Sequence, residues 1–130
     1  MGEKMPNNET ILIVEDELGL RSFYEAFFHL RGCDVICASS VREAKGYLHK
    51  FNVALVVLDL LMPFENGEAL YDYLVVNYPD VWIIVASGEP TESIKDKVAA
   101  NTKASLHLKP LNISEIYEIA VERVHLLKSA

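Results

Sequence analysis

The stretch Val53-Ala54-Leu55-Val56-Val57-Leu58-Asp59 is an apolar, β-branched run that ends in a carboxylate. Such a run is typical of a strand that is buried on both faces of a parallel sheet. A carboxylate at the mouth of a buried strand loses solvation, so a metal, a cation or hydrogen bonds must compensate it. In open α/β sheets, ligand sites are built at the carboxyl ends of the strands. The stretch therefore predicts a buried strand with a functional site at Asp59.

Four further apolar runs flank this stretch, at spacings of about 20 to 25 residues that leave room for a helix each time. They are residues 10–14, 35–38, 81–86 and 104–108. Strands that alternate with helical patterns indicate βαβ units, and such crossovers are right-handed. We therefore expect an α/β fold, a doubly wound sheet of five parallel strands with helices on both faces.

The intervening segments carry helix signals. Ser40 with Glu43, and Asn112 with Glu115, resemble capping boxes. Pro79 is expected to end the third helix, and the fourth is expected to be the loosest because only two residues make an apolar stripe. The residues expected to face the core are Leu20, Phe23, Tyr24, Phe27 and Leu30 in the first helix, Ile94 and Val98 in the fourth, and Ile113, Ile116, Tyr117, Ala120, Val121, Val124 and Leu127 in the last.

Three apolar residues, Phe28, Ile119 and Leu126, fall outside these stripes. Exposed apolar side chains on the first and last helices would form a dimer interface or a docking face for a kinase. Scattered surface apolar residues are an equally good interpretation of the same pattern.

Composition bounds the class of protein. The chain has 130 residues and a formal net charge of −7, which suits one globular domain and argues against direct nucleic-acid binding. Cys33 and Cys37 lack metal-site spacing and are expected to be reduced thiols, as in the cytoplasm. We find no signal peptide and no stretch of membrane-spanning length. We expect an extended or disordered lead over residues 1–9 and a domain over residues 10–128.

Chemically active residue types follow four of the five predicted strands. They are Glu15, Asp16 and Glu17 after the first strand, Asp59 after the third, Ser87 and Gly88 after the fourth, and Lys109 and Pro110 after the fifth. Parallel strands bring these ends to one edge of the sheet. Ser39 and Ser40, after the second strand, are interpreted only as the start of a helix.

Clustered carboxylates repel one another, so a site that holds Glu15, Asp16 and Asp59 needs a cation. Hard oxygen ligands suit Mg²⁺. Asp59 as nucleophile beside Mg²⁺ would suit phosphoryl transfer to a carboxylate, with Ser87 and Lys109 donating to the added oxygens. Taken singly, Asp16 could equally cap a helix, and Ser87 or Lys109 could be an ordinary turn or surface residue. Their joint occurrence at strand ends favours a shared site.

These residues resemble the receiver domain of two-component response regulators, over almost the whole chain. The resemblance rests on four segments: Ile11 to Glu17 (ILIVEDE), Asp59 to Pro63 (DLLMP) with Gly67, Ser87-Gly88, and Leu108 to Pro110 (LKP). It implies a flavodoxin-like strand order of 2-1-3-4-5. In this family the peptide bond at the position of Lys109 and Pro110 is often cis.

The resemblance further implies a role for each site residue. Asp59 would accept a phosphoryl group from a histidine of a sensor kinase or phosphotransfer domain. Asp16, Asp59 and the backbone carbonyl of Leu61 would ligate Mg²⁺, and Glu15 would act through water. Ser87 and Lys109 would bind phosphoryl oxygens. Phosphorylation would then shift a protein-interaction surface between two packed states.

The chain departs from the family pattern at two positions. Leu106 stands where an aromatic switch residue is usual, three residues before the lysine; His107 is adjacent but is expected to face the other way. Leu61, two residues after Asp59, stands where polar residues also occur. An apolar side chain there would obstruct an attacking water, so we expect slow loss of phosphate.

Other functions remain alternatives at this point. A pseudo-receiver would bind a partner without taking phosphate. A phosphatase with an aspartyl nucleophile usually carries a second aspartate where this chain has Leu61. A flavin-binding domain would need a phosphate-binding loop after the first strand, and Glu15, Asp16 and Glu17 would repel phosphate there. The cognate kinase, and whether the domain stands alone or belongs to a larger regulator, stay open.

Overall fold

The computed structural model describes residues 9–62 and 65–123, in which strands and helices alternate. The strands are β1 (Thr10–Val14), β2 (Asp34–Ala38), β3 (Val53–Asp59), β4 (Trp82–Ser87) and β5 (Ala104–Leu108). The helices are α1 (Leu18–Leu30), α2 (Val41–Lys50), α3 (Gly67–Asn77), α4 (Glu92–Ala99) and α5 (Ile113–Glu122). All five predicted strands are present, and α3 ends shortly before Pro79 as expected.

The strands form one parallel sheet in the order β2-β1-β3-β4-β5, which confirms the predicted architecture. β3, which carries Asp59, is the central strand of this order, and nearly all of its residues are buried. Among the described residues, no helix has both the length and the apolar character needed to cross a bilayer.

Two apolar clusters cover the two faces of the sheet. On one face α2, α3 and α4 contribute Leu48, Leu70, Leu74, Ile94 and Val98. On the other face α1 and α5 contribute Tyr24, Phe28, Ile116 and Ala120. Helices on both faces explain why β1, β3 and β4 are almost continuously apolar rather than alternating. The two residues expected to anchor α4, Ile94 and Val98, are both buried, and α4 is the shortest helix described.

The predicted orientation of α1 is wrong. Phe28, expected to face solvent, is fully buried, whereas Phe23 and Leu30, expected in the core, are 53% and 80% exposed. α1 is apolar around most of its circumference, so periodicity alone could not distinguish the stripe of Tyr24 and Phe28 from its neighbour. The helix ends where Gly32, with φ of 82°, donates to the His29 carbonyl and the next residue donates to Phe28.

The outward residues expected on α5 are only partly testable. Ile119 is half-buried and packs against the cluster formed by α1 and α5, so it is not a free surface residue. Leu126 lies outside the described residues, as do Val124 and Leu127 of the expected core stripe. Of that stripe, Ile116 and Ala120 are confirmed as buried.

The ends of the elements follow local chemistry. The side chains of Ser40 and Asn112 cap α2 and α5 by accepting from the backbone N–H groups of Glu43 and Glu115, as predicted. The fourth strand lies one residue later than predicted, because the Val81 N–H still closes a turn onto Tyr78. Ser87 is therefore the last residue of β4 and not the first residue of a loop.

Gly67, the first residue of α3, lies against the backbone at the end of β3. A Cβ atom at this position would lie 2.7 Å from the Leu60 Cα and 3.2 Å from the Asp59 carbonyl oxygen. A side chain at position 67 would fit only if the backbone of Asp59 and Leu60 moved. The absence of a side chain thus lets α3 pack directly behind the loop that carries Asp59.

We expect Gly67→Ala to lower the free energy of unfolding by about 1–3 kcal/mol, because the methyl group overpacks against backbone. Gly46, inside α2 with nothing near its Cβ position, is the matched control. Gly46→Ala should raise stability by about 0.5–1 kcal/mol, since alanine is the better helix former. Urea denaturation of both variants measures this. Equal effects of the two substitutions would contradict the close approach at Gly67.

Candidate functional site

Three carboxylates meet at the carboxyl edge of the sheet. Ligand oxygens of Glu15, Asp16 and Asp59 all lie within 4.8 Å of one another. The pairing of Val14 with Leu58 explains this proximity, because Glu15 and Asp59 are the next residues on neighbouring parallel strands. The Glu15 N–H also donates to the Ala38 carbonyl at 3.0 Å, which continues the β1–β2 pairing up to the site.

The site holds its negative charge at a cost. Glu15 and Asp59 are each only 4% exposed. Burial, together with the nearby Asp59 carboxylate, raises the pKa of Glu15 to about 7, although a hydrogen bond from the Glu17 N–H acts in the opposite direction. The pair therefore resists carrying two full charges at neutral pH unless a cation joins it.

One cation, Lys109, reaches Asp59 directly. The Lys109 Nζ lies 2.8 Å from the Asp59 Oδ1, and the Leu61 N–H donates to the same oxygen at 3.0 Å. Lys109 directly follows β5, and its bond to Pro110 is cis, as the resemblance implied. The ammonium and the backbone N–H thus fix the Asp59 carboxylate at the edge of the sheet.

Ser87 stands beside Asp59 through the strand register. Asp59 pairs with Ala86, and the Leu60 N–H donates to the Ala86 carbonyl at 3.1 Å. Ser87 is 6% exposed, and its carbonyl accepts from the Lys109 N–H at 3.0 Å. It lines an open cavity of about 470 Å³ together with Leu61, Gly67 and Glu89. Ser87 thus borders open space that Leu60 and Leu61, the two residues after Asp59, also line.

Asp16 belongs to the cluster and does not cap α1. Its side chain is exposed, whereas the Glu17 side chain caps α1 by accepting from the Leu20 N–H at 3.0 Å. The alternative interpretation of Asp16 as a helix cap is therefore wrong. Because Glu17 serves the helix, Asp16 is left for the site.

Arg21 is a residue of the site region that the sequence did not single out. Its Nη1 donates to the Glu15 carbonyl at 3.0 Å and to the Asp16 carbonyl at 2.8 Å. The only sequence signal was a basic residue one turn into a helix that follows an acidic loop.

The donor set fits a hard divalent cation. It offers three carboxylates, two of them in positions where burial penalises their charge, and one ammonium that faces Asp59. Mg²⁺ prefers oxygen ligands and keeps several of its waters when it binds. The exposed Asp16 side chain leaves one side of the cluster open to solvent, so there is room for such waters. There is no thiol or imidazole in the cluster to favour a softer metal.

Leu106 and His107 point to opposite faces of β5, as predicted. Leu106 is half-buried and packs against the cluster beneath α2, α3 and α4. The His107 ring faces α5, where its Nδ1 lies 3.4 Å from a Glu115 oxygen and its Nε2 lies 2.9 Å from the Ser105 hydroxyl. His107 thus does not replace the missing aromatic side chain on the face of Leu106.

The two cysteines take no part in the site. Both are free. Burial raises the pKa of both thiols, in the case of Cys37 to about 11. They therefore stay protonated and poorly nucleophilic at neutral pH.

The sequence matches the family model described as "Response regulator receiver domain" over residues 11–121. Curated relatives carry the same kind of region. The chain is 29% identical over 126 residues to the transcriptional regulatory protein AruR of Pseudomonas aeruginosa, which covers 92% of this chain and 51% of AruR. It is 28% identical over 114 residues to the sensor kinase CckA of Brucella abortus, which covers 86% of this chain and 12% of CckA.

These curated relatives are longer than this chain. The aerobic respiration control protein ArcA of Escherichia coli is 39% identical over 60 residues, which is 46% of this chain and 25% of ArcA. The chain thus spans between about an eighth and half of these three relatives.

Solved structures share the fold. A receiver domain protein from Methanospirillum hungatei superposes with a TM-score of 0.80 at 20% identity, over 89% of this chain and 93% of that one. A response regulator receiver protein from Pseudomonas putida gives 0.79 at 25% identity, over 89% and 98% of the two chains. From the family match across residues 11–121, this chain belongs to the receiver domains of two-component response regulators.

Proposed function

We propose that this receiver domain is a phosphorylatable switch: Asp59 takes a phosphoryl group from a histidine of a sensor kinase or phosphotransfer domain. The observation that carries the proposal is the cluster itself. A buried aspartate lies 2.8 Å from a lysine ammonium, inside a group of carboxylates that needs a divalent cation. The only chemistry of the domain is then on itself, namely phosphorylation and loss of the phosphate.

The transfer step needs little from the protein beyond positioning. An Asp59 carboxylate oxygen attacks phosphorus, a P–O bond forms, and the P–N bond to the donor imidazole breaks. The electron pair of that bond stays on the imidazole nitrogen. Lys109 and the Ser87 hydroxyl donate to phosphoryl oxygens, and this compensates charge that the buried carboxylate alone cannot disperse.

Mg²⁺ is the proposed cofactor. Asp16, Asp59 and the backbone carbonyl of Leu61 would hold it, with Glu15 acting through water. When bound, the ion neutralises charge that develops on the phosphoryl oxygens. Without metal, burial and the Asp59 charge raise the pKa of Glu15 to about 7. A bound cation would stabilise the charged form of this carboxylate.

The phosphohistidine-bearing partner is proposed to dock beside the site. The rim there carries exposed apolar side chains: Leu18 at 67%, Phe23 at 53%, Leu61 at 76% and Leu108 at 63%. An adjoining cavity of about 430 Å³ is lined by Leu20, Phe23, Tyr24, Lys109, Pro110 and Leu111. Apolar surface next to a reactive carboxylate is typical of a protein-docking face.

Three further proposals concern the assembly, the location and the bounds of the domain. A homodimer is a further proposed assembly, and Phe28 has no part in its interface because this side chain is buried. Two free thiols fit a reducing compartment, so we propose a cytoplasmic location. The domain is proposed to span residues 10–128 after a lead of residues 1–9.

A pseudo-receiver, which binds a partner without taking phosphate, is the alternative. It would not require a nucleophile, a cation and a hydroxyl at adjoining strand ends. The full set of Asp59, Lys109 and Ser87 with the acidic pair therefore favours the phosphorylated form of the proposal.

Phosphorylation of Asp59 is the first test. Incubation with Mg²⁺ and acetyl phosphate should add the mass of one phosphoryl group to the intact protein, because a small phosphodonor needs no partner protein. Asp59→Asn should abolish the addition. Asp80→Asn, which removes an exposed aspartate, should leave it unchanged. If no donor gives a mass shift, the pseudo-receiver is favoured.

Glu15→Gln should distinguish the effect of the buried Glu15 carboxylate on stability from its effect on Mg²⁺ binding. In the metal-free fold the pKa of Glu15 is about 7, against 4.5 for an unperturbed glutamate. The folded state therefore keeps a proton that the unfolded chain releases, and the wild type should lose stability as pH rises from about 4.5 to about 7. The variant should lack this loss.

Thermal melts of wild type and Glu15→Gln across this pH range, with and without Mg²⁺, make the measurement. The variant should also be stabilised less by Mg²⁺ at pH 8, since a carboxylate that holds the ion through water is gone. Glu92→Gln removes an exposed carboxylate on α4 and should change neither result. Parallel pH profiles of wild type and Glu15→Gln would contradict the interpretation.

Leu61→Asn should accelerate loss of phosphate several-fold. The Leu61 side chain is 76% exposed next to Asp59, where an apolar group shields the acyl phosphate from water, and an amide would admit and orient a water molecule. The decay of the phosphorylated species after donor removal, followed by intact mass, gives the rate. Leu30→Asn, at the far end of α1, is the control. An unchanged or slower decay in Leu61→Asn would remove the hypothesis.

A further inference from the structure

We infer that Arg21 is a positioning residue for the metal site, an inference that rests on the proposed function. One nitrogen of its guanidinium donates to the backbone carbonyls of Glu15 at 3.0 Å and Asp16 at 2.8 Å. These are the two acidic residues that leave β1 and turn toward Asp59. Arg21 thus holds the backbone of both carboxylate-bearing residues at once without touching either carboxylate.

The loop from Glu15 to Glu17 needs such support. The Glu15 N–H makes the last bond of the chain to β2, and from the Glu15 carbonyl onward the loop carbonyls require partners other than a strand ladder. The Glu15 carboxylate is already engaged with the Glu17 N–H at 3.1 Å. Arg21 gives the carbonyls of Glu15 and Asp16 a charged donor, and charged donors make the stronger hydrogen bonds.

The position of Arg21 in α1 also indicates that these contacts matter. Its own N–H bonds to the Glu17 carbonyl, so it stands in the first turn of the helix. A cation there opposes the helix dipole. Helical side chains lean toward the N-terminus, which directs the guanidinium back over the acidic loop. The carbonyl contacts offset an otherwise unfavourable placement.

Two physical effects of Arg21 on cation binding have opposite signs. As a positive charge near the site, it repels a metal ion, so its removal would tighten Mg²⁺ binding. As a clamp on the loop, it holds repelling carboxylates in a geometry that a small ion with strict octahedral demands can use. Removal of the clamp would weaken binding. The direction of the change therefore identifies the role.

Arg21→Met keeps the apolar stem and removes the donors. We expect the Mg²⁺ dissociation constant to rise about tenfold, the lower range for loss of a group that orients metal ligands. Arg21→Lys keeps the charge and part of the hydrogen bonding, and it should give an intermediate value. Arg31→Met is the matched control, because Arg31 directly follows the same helix but contacts the Phe27 carbonyl and ring.

Calorimetric titration of each metal-free protein with MgCl₂ measures the constants, and circular dichroism confirms that each variant is folded. Equal or tighter Mg²⁺ binding by Arg21→Met overturns the inference and leaves the proposed function intact. A wild type that does not bind Mg²⁺ overturns both. Should Arg21→Met fail to fold, Arg21→Lys decides: unchanged affinity in that variant overturns the clamp.

Discussion

The packing of carboxylates at one edge of the sheet is the constraint around which this domain is organised. Glu15 and Asp59 are almost fully buried within reach of each other, and a single ammonium, that of Lys109, lies against Asp59 at 2.8 Å. Burial of like charges is unfavourable unless opposite charge or hydrogen bonds compensate it. The fold meets part of this demand with contacts from three strand ends and with backbone donors.

The surrounding backbone converts that unfavourable cluster into a defined geometry. Hydrogen bonds knit neighbouring strand ends together, from Leu60 to Ala86 and from Lys109 to Ser87. α3 packs behind the loop after β3 because Gly67 has no side chain, and Arg21 of α1 holds the separate loop after β1. Sites built on strand ends are held more rigidly than sites built on free loops, which suits a reaction that depends on positioning.

Sequence alone was sufficient for the sheet and for the membership of the acidic cluster. The apolar run from Val53 to Leu58 was recognisable as a strand buried on both faces, and a parallel sheet necessarily gathers its carboxyl ends. It was insufficient where two interpretations share one pattern. α1 is apolar on several sides, so Phe28 and Phe23 exchanged their expected places. Contacts such as that of Arg21 with two carbonyls depend on side-chain reach, which residue spacing does not reveal.

The departure at Leu106 changes how a signal can leave the site under the proposed function. Leu106 is already half-buried among α2, α3 and α4, and it has no ring or hydroxyl with which to turn inward. Contacts between α3 and α4 offer a second route for the proposed signal. Glu68, next to Gly67, accepts from the Ser93 hydroxyl at 2.6 Å and pairs with Lys97 at 2.8 Å.

Lys97 also pairs with Asp72 at 2.9 Å, so α4 is tied to α3 at several points. Exposed ion pairs of this kind are individually weak, and a tie of weak contacts can be exchanged for another arrangement at small cost. Because α3 begins against the backbone of Asp59 and Leu60, phosphorylation of Asp59 under the proposed function would act on α4 through α3 as well as through β5. With Leu106 at the position where the family resemblance implies an aromatic residue, the proposed function would therefore place more of this coupling on α3.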